Sequence, residues 1–346
     1  MAETLVLTDD IEKIEKTLER ALQSGNINFL IGSGASQPAI SVAGDIEKTL
    51  NECLDDDDEA LFTKTRNDFL VEIQSVTNEL FGGAPNPSTV ETIGNYQDFL
   101  RILVRILDER KTDLLAKQVS IFTTNYDLFV EHASAGIPTL RLNDGFNRNP
   151  TVGGSFSFEP ETFFDALYKT GNLFNYKFPV PVVNLIKLHG SLSWKADADS
   201  IEYQVESKSI PDAAADDYVA KIEQFSSEFS LILPTKKKFN ETLLDRIYYD
   251  LLRIYANTME IENTVLFSFG FSFEDEHILD ITKRALKNPT LLLILLAYSD
   301  NSKNSYQDKF AKYDNVLIIH PEDNANIKFD RLNELLKRVV PNSRYD

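Results

Sequence analysis

Cysteine is nearly absent: Cys53 is the only one among 346 residues. No internal disulfide can form, and one chain cannot build a cysteine-based zinc site. Histidine is scarce, with four in the chain, and no pair of histidines and carboxylates has metal-ligand spacing. No catalytic metal is therefore expected. Positive charge is in deficit: 35 Lys and Arg stand against 54 Asp and Glu, a formal net charge of −19. Such a surface repels phosphate backbones at long range, which argues against direct non-specific nucleic acid binding. Long apolar runs are missing too. The longest, Pro289 to Tyr298, falls far short of the ~20 residues a membrane span needs. The first ten residues have neither a basic n-region nor an apolar h-region, so the expected location is cytoplasmic and no membrane contact is expected. What the chain does have is an ordinary globular composition, 42% hydrophobic and 26% charged, which rules out wholesale disorder. Its length suits two folding units, or one large α/β domain with an insertion.

The pattern alternates amphipathic helices with short, continuously apolar runs. Asp9-Asp10-Ile11-Glu12 reads as an acidic capping box. Ile11, Ile14, Leu18, Ala21 and Leu22 follow at helical spacing, and Gly25 stops the helix. Strand-length runs lie at 28–31, 119–122, 182–188, 229–233, 264–269, 291–297 and 315–319. They are apolar throughout rather than alternating, as strands buried on both faces of a parallel sheet are. Helical patterns at 242–261, 275–287 and 329–339 separate the late ones. This predicts an α/β fold: a Rossmann-like, doubly wound, mostly parallel sheet. Two stretches interrupt it, a helical insertion over 45–117 and a smaller, irregular, loop-rich insertion over 137–180, both expected to lie over the carboxyl edge of the sheet. The acidic run Asp55–Glu59 reads as a solvated loop.

Four segments carry candidate chemistry, each just after a strand. Gly32-Ser33-Gly34-Ala35-Ser36 ends the first apolar run and opens a helix, which leaves backbone N–H groups for a pyrophosphate; a tight turn with no ligand is the alternative. The Gly-x-Gly-x-x-Gly template fails at Gln37 and no Gly-Lys-Ser/Thr follows, so a Walker-type NTPase is excluded. Asn125 and Asp127 of Thr123-Thr124-Asn125-Tyr126-Asp127 put a carboxamide and a carboxylate at a strand end, although Asp127 can instead cap the next helix. His189, in Leu188-His189-Gly190-Ser191, is placed as a proton acceptor. Gly270 and Ser272, in Gly270-Phe271-Ser272-Phe273, could hold a ribose or phosphate, with an N-cap role for Ser272 as the alternative. His132 and His320 read as structural, and His277 stays ambiguous. Lys236-Lys237-Lys238 reads as a solvated or partner-facing patch rather than an anion site.

As an ordered set, Gly-Ser-Gly-Ala-Ser, Thr-Thr-Asn-Tyr-Asp, Leu-His-Gly-Ser and Gly-Phe-Ser-Phe-Glu-Asp-Glu-His resemble the sirtuin-like family over about residues 26–300. The similarity is closest to its bacterial branch, whose members consume NAD in antiphage defence. The resemblance implies a single sirtuin-like domain over 1–346, with NAD as substrate and no metal. Gly32, Ser33, Gly34, Ala35 and Ser36 would then cradle the NAD pyrophosphate. Asn125 would hold the nicotinamide ribose or an attacking water, and Asp127 would lie by the carboxamide. His189 would be the general base, while Gly270 and Ser272 would contact the adenosine ribose. The chain departs from the deacylase sirtuins twice. Gln37-Pro38-Ala39-Ile40-Ser41-Val42 stands where they carry Gly-Ile-Pro-Asp-Phe-Arg, and their four-cysteine zinc module is impossible here.

The resemblance thus implies an NAD glycohydrolase, releasing nicotinamide and ADP-ribose as the NAD-depleting effector of abortive infection. Such an enzyme needs restraint, so a homo-oligomer and an activating or sensor partner, such as a HerA-type ATPase, are expected. The competing readings are a non-catalytic module that binds NAD or ADP-ribose and, less favoured, a sirtuin-type deacylase or an ADP-ribosyltransferase. The lack of clustered catalytic acids disfavours a nuclease subunit.

Overall fold

The computed structural model describes residues 1–56, 58–110, 115–149, 156–171, 175–197, 200–212, 214–215, 217–227, 231 and 243–340. Eight strands form its central sheet: β1 (Glu3–Val6), β2 (Asn26–Ile31), β3 (Gln118–Thr123), β4 (Arg141–Asn143), β5 (Val182–Lys187), β6 (Thr264–Phe269), β7 (Leu292–Leu296) and β8 (Val316–His320). Their spatial order is β1-β8-β7-β6-β2-β3-β5-β4, and every neighbouring pair is parallel. The helices are α1 (Ile11–Ser24), α2 (Ala43–Asp55), α3 (Glu59–Gly82), α4 (Pro87–Asp108), α5 (Phe129–Ala135), α6 (Tyr218–Ser227), α7 (Leu243–Glu260), α8 (Glu276–Ala285), α9 (Asp300–Phe310) and α10 (Phe329–Val339).

The continuous apolar runs are buried on both sides, and alternate residues serve opposite cores. Phe29, Ile31, Val119, Ile121, Val265 and Phe267 pack with α1, α3, α4, α5 and α10. Leu30, Phe122, Ile186, Leu266, Leu293 and Leu295 pack with α7, α8 and α9. Aromatic rings tie the first layer to the sheet: Phe29 stacks on Phe267 at 5.0 Å and meets Phe99 of α4 edge-on at 5.0 Å. The doubly wound α/β expectation holds. The chain winds outward from β2 through β3 and β5, then returns to β6 on the other flank of β2. The topological switch therefore falls between β2 and β6, where ligands bind in such sheets.

Several details differ from the sequence reading. Residues 45–117 carry α2, α3 and α4; α4 buries Tyr96, Phe99, Leu100 and Leu103 in the main core as well as bringing Glu91 and Asn95 to the crevice at the carboxyl edge. The irregular stretch supplies a sheet strand, β4, which pairs with Val182–Asn184. Asp10 sits at the N-cap of α1, yet its side chain caps nothing. Its carboxylate accepts from Val6 N–H at 2.9 Å, so the expected capping box is replaced by a bond across the turn from β1. The run 229–233, apart from Leu231, the lysines at 236–238, and Gly153-Gly154 lie outside the described residues. Among the described residues, no helix is long and apolar enough to cross a membrane.

Candidate active site

Parallel register fixes the site before any side chain is considered. Thr123 pairs with Lys187 at the end of the β3–β5 ladder, so Asn125 and His189 each lie two residues beyond the same rung. Ile31 pairs with Phe269 at the end of the β2–β6 ladder, so Gly32 and Gly270 are the next residues on adjacent strands. All four segments thus leave one rim of the sheet.

The glycines are there because the two switch-point loops touch. A Cβ on Gly32 would lie 2.3 Å from the Gly270 carbonyl oxygen, and one on Gly34 would lie 2.8 Å from the Gly270 Cα. Gly270 itself has φ +64°, a left-handed conformation that glycine adopts at no steric cost. The Gly32 N–H donates to Phe269 O at 3.0 Å, Gly34 N–H to Gly270 O at 3.1 Å, and Ala35 N–H to Gly32 O at 3.0 Å. Three N–H groups expected to be free for a pyrophosphate are therefore bonded inside the protein. The segment that follows, Ser33–Ser36, is one 3₁₀ turn rather than a helix. Gly32→Ala is expected to cost about 1–3 kcal/mol by overpacking this seam, read as a lower denaturant midpoint at unchanged m-value.

The seam divides the crevice into two adjoining cavities, of ≈ 110 Å³ and ≈ 790 Å³. Both are walled by Ile40, Ser41, Val42, Gly270, Phe271 and Ser272. Asn125, Asp127, His189 and Ser36 line the smaller one. Gly34, Leu296, Tyr298, Ser302, Lys328 and Asp330 help line the larger, beyond β6 and β7. Ser272 does not cap α8, since that position belongs to Asp275; the Ser272 carbonyl accepts from Lys309 Nζ at 3.2 Å.

Around the smaller cavity the polar atoms are closely interlocked. Asn125 Nδ2 donates to Gly32 O and to Ser36 Oγ, both at 3.1 Å. Both amide hydrogens are then used, so the atom Asn125 offers a ligand is Oδ1. Ser36 Oγ donates to Asp127 Oδ2 at 2.6 Å and lies 3.1 Å from the Tyr96 hydroxyl. With its one hydrogen committed to Asp127, it accepts from both Asn125 and Tyr96. Burial, then the Asp127 charge, raises the Tyr96 phenol well above its ordinary value, so it stays a donor. Asp127 Oδ1 accepts at 3.2 Å from the N–H of Phe129, the first residue of α5, although the N-cap position itself is Leu128, and Oδ2 accepts from Ser36 Oγ. Burial raises its pKa, and Lys187 opposes the shift.

His189 is buried, and its Nε2 lies 3.0 Å from Asp275 Oδ2. Asp275 is the candidate site residue that sequence reasoning missed. Its Oδ1 caps α8, accepting from His277 and Ile278 N–H. Phe273, at φ +58°, turns the chain towards it and is anchored edge-on to Phe271 and Phe310 at 4.9 and 5.1 Å. A carboxylate can only accept, so in the neutral ring Nε2 carries the proton and Nδ1 the lone pair. His277 and His132 are exposed, and His320 Nδ1 lies 2.8 Å from Pro321 O.

A crevice at the switch point of a doubly wound parallel sheet is where α/β proteins of this architecture bind ligands, and its wall here holds a buried histidine–carboxylate pair. A family model, the SIR2-like domain, matches residues 119–319, more than half of the chain. The chain belongs to this family, within the NAD-binding sirtuin-like superfamily. Among solved structures, a crystal structure of a SIR2 homolog in complex with NAD aligns with 98% of this chain and 96% of its own. Its identity is 14% and its TM-score 0.45. No curated protein matches the chain.

Proposed function

We propose that the protein is an NAD glycohydrolase, cleaving NAD to nicotinamide and ADP-ribose as an NAD-depleting effector of bacterial antiphage defence. The observation that carries this reading is the pairing of Asn125 with the His189–Asp275 dyad on a small cavity that opens beside a much larger one. The larger cavity suits the adenosine end of the substrate, and the smaller has room for the nicotinamide ring.

Nicotinamide in NAD is already a cationic leaving group, so the bond to C1′ breaks with oxocarbenium character and no leaving-group acid. The bonding pair passes to the pyridinium nitrogen and neutralises it. Water adds to C1′, oriented by Asn125 Oδ1, and its proton passes to His189 Nδ1 and then to solvent. Asp275 holds the imidazole in the tautomer this needs.

Restraint by self-association or by a partner such as a HerA-type ATPase completes the reading. Apolar side chains exposed along 164–178 support it: Phe164 is 70% exposed and Tyr176 67%. The test is nicotinamide release from NAD by purified protein over a wide protein concentration range, beside NAD binding. Release that rises more steeply than protein concentration supports both activity and assembly. Saturable binding without release would favour the non-catalytic sensor, and no binding would overturn the proposal.

A further inference from the structure

Lys187 is the last residue of β5, and its side chain is 4% exposed. Its ammonium has three hydrogens, and the structure gives it three acceptors on three segments. These are the backbone carbonyl of Asp127 after β3, Oε1 of Glu131 on α5 at 2.8 Å, and Oγ of Ser191 after β5 at 3.0 Å. Ser191 Oγ in turn lies 2.9 Å from Ser193 Oγ, and Leu192 N–H donates to Tyr126 O at 3.1 Å. His189 stands between Lys187 and Ser191. Asn125 is joined to Asp127 through Ser36.

We infer that Lys187 is a positioning residue of the site, one buried ammonium that pins the Asn125–Asp127 loop to the His189 turn across two carboxylates beneath the smaller cavity. This deepens the reading above and takes its substrate from it. The link is electrostatic as well as geometric. Burial raises the carboxyls of both Asp127 and Glu131, and Lys187 is the leading influence holding them down. Glu131 is exposed to the Asp127 charge as well, and its Oε2 has no hydrogen-bond partner. The other groups facing the pair are the Tyr96 phenol from α4 and the Tyr203 phenol, both kept protonated by burial.

The test compares wild type, Lys187→Met and Glu131→Gln for NAD turnover and thermal melting from pH 4 to 9. Lys187→Met is expected to lower kcat more than about tenfold through misplaced Asn125 and His189. Its KM should change little, and the acid limb of its activity should move to higher pH, because both carboxyls lose the charge that held them down. Glu131→Gln removes a competing negative charge and keeps Lys187, so its acid limb should move the other way. Carboxyls whose folded pKa is raised lose stability as pH climbs from their unfolded values, about 3.9–4.3, through the folded ones. The melting gap between wild type and Lys187→Met should therefore widen from pH 4 upward. Opposite limb shifts together with the widening gap support the inference. A uniform loss with unchanged limbs, or a constant gap, overturns it. If Lys187→Met fails to fold, the Glu131→Gln shift decides. If wild type itself does not cleave NAD, the glycohydrolase reading falls, and Lys187 is judged on the melting gap alone.

Discussion

His189→Ala is expected to lower nicotinamide release from NAD by about 100- to 10,000-fold, the range general-base help is worth, while NAD binding persists. The ring lies in the wall of the smaller cavity, and its partner, Asp275, is equally buried. Asn125→Ala should cost a comparable factor for a different reason. The amide is fixed through two donated bonds, so its oxygen is oriented before substrate arrives. Single-turnover nicotinamide release, measured beside NAD binding by calorimetry, checks both. Retention of more than about a tenth of wild-type turnover in His189→Ala would remove the histidine from the mechanism.

Asp275→Asn is expected to lower kcat at least about tenfold, and as much as about 10⁴-fold if the pair behaves like the Asp–His pair of serine hydrolases. An asparagine remains a good N-cap, so α8 should still start at Glu276 and the melting temperature should fall little. What is lost is the acceptor that keeps the proton on Nε2. The amide can present its NH₂ to that nitrogen instead and turn the lone pair away from the reaction. Combined with His189→Ala, the two losses should be far from additive, because Asp275 acts through the ring. Additive losses would assign Asp275 to the architecture of α8 alone.

The strands buried on both faces were legible because burial demands unbroken apolar runs, as in Val182–Lys187 and Thr264–Phe269. β1 and β4 were not legible. They are edge strands of four and three residues, too short for any pattern, and they show only in the ladders they join. Helix α9 escaped because it buries little beyond Tyr306 and Phe310. The positions of Asn125 and His189 were readable as polar residues ending apolar runs. Asp275 was not, because its partner lies 86 residues away in sequence. The available signal was an aspartate three residues ahead of Ile278 at a helix start, which reads as a cap and nothing more. Gly32 and Gly34 were noticed, but as a cradle for an anion. Sequence shows that a side chain is absent, and only the fold shows that the Gly270 loop fills its place.

The wall where these two loops meet also separates inheritances. One room is furnished by the loops after β3 and β5, which carry Asn125, Asp127 and His189. The other draws on α9 and the start of α10, from the last fifth of the chain. Changes in that late segment can reshape the larger room while Asn125, His189 and Asp275 are left in place. A lineage built on such a plan can exchange the tail of its ligand and keep its chemistry, which is how one fold comes to serve several trades.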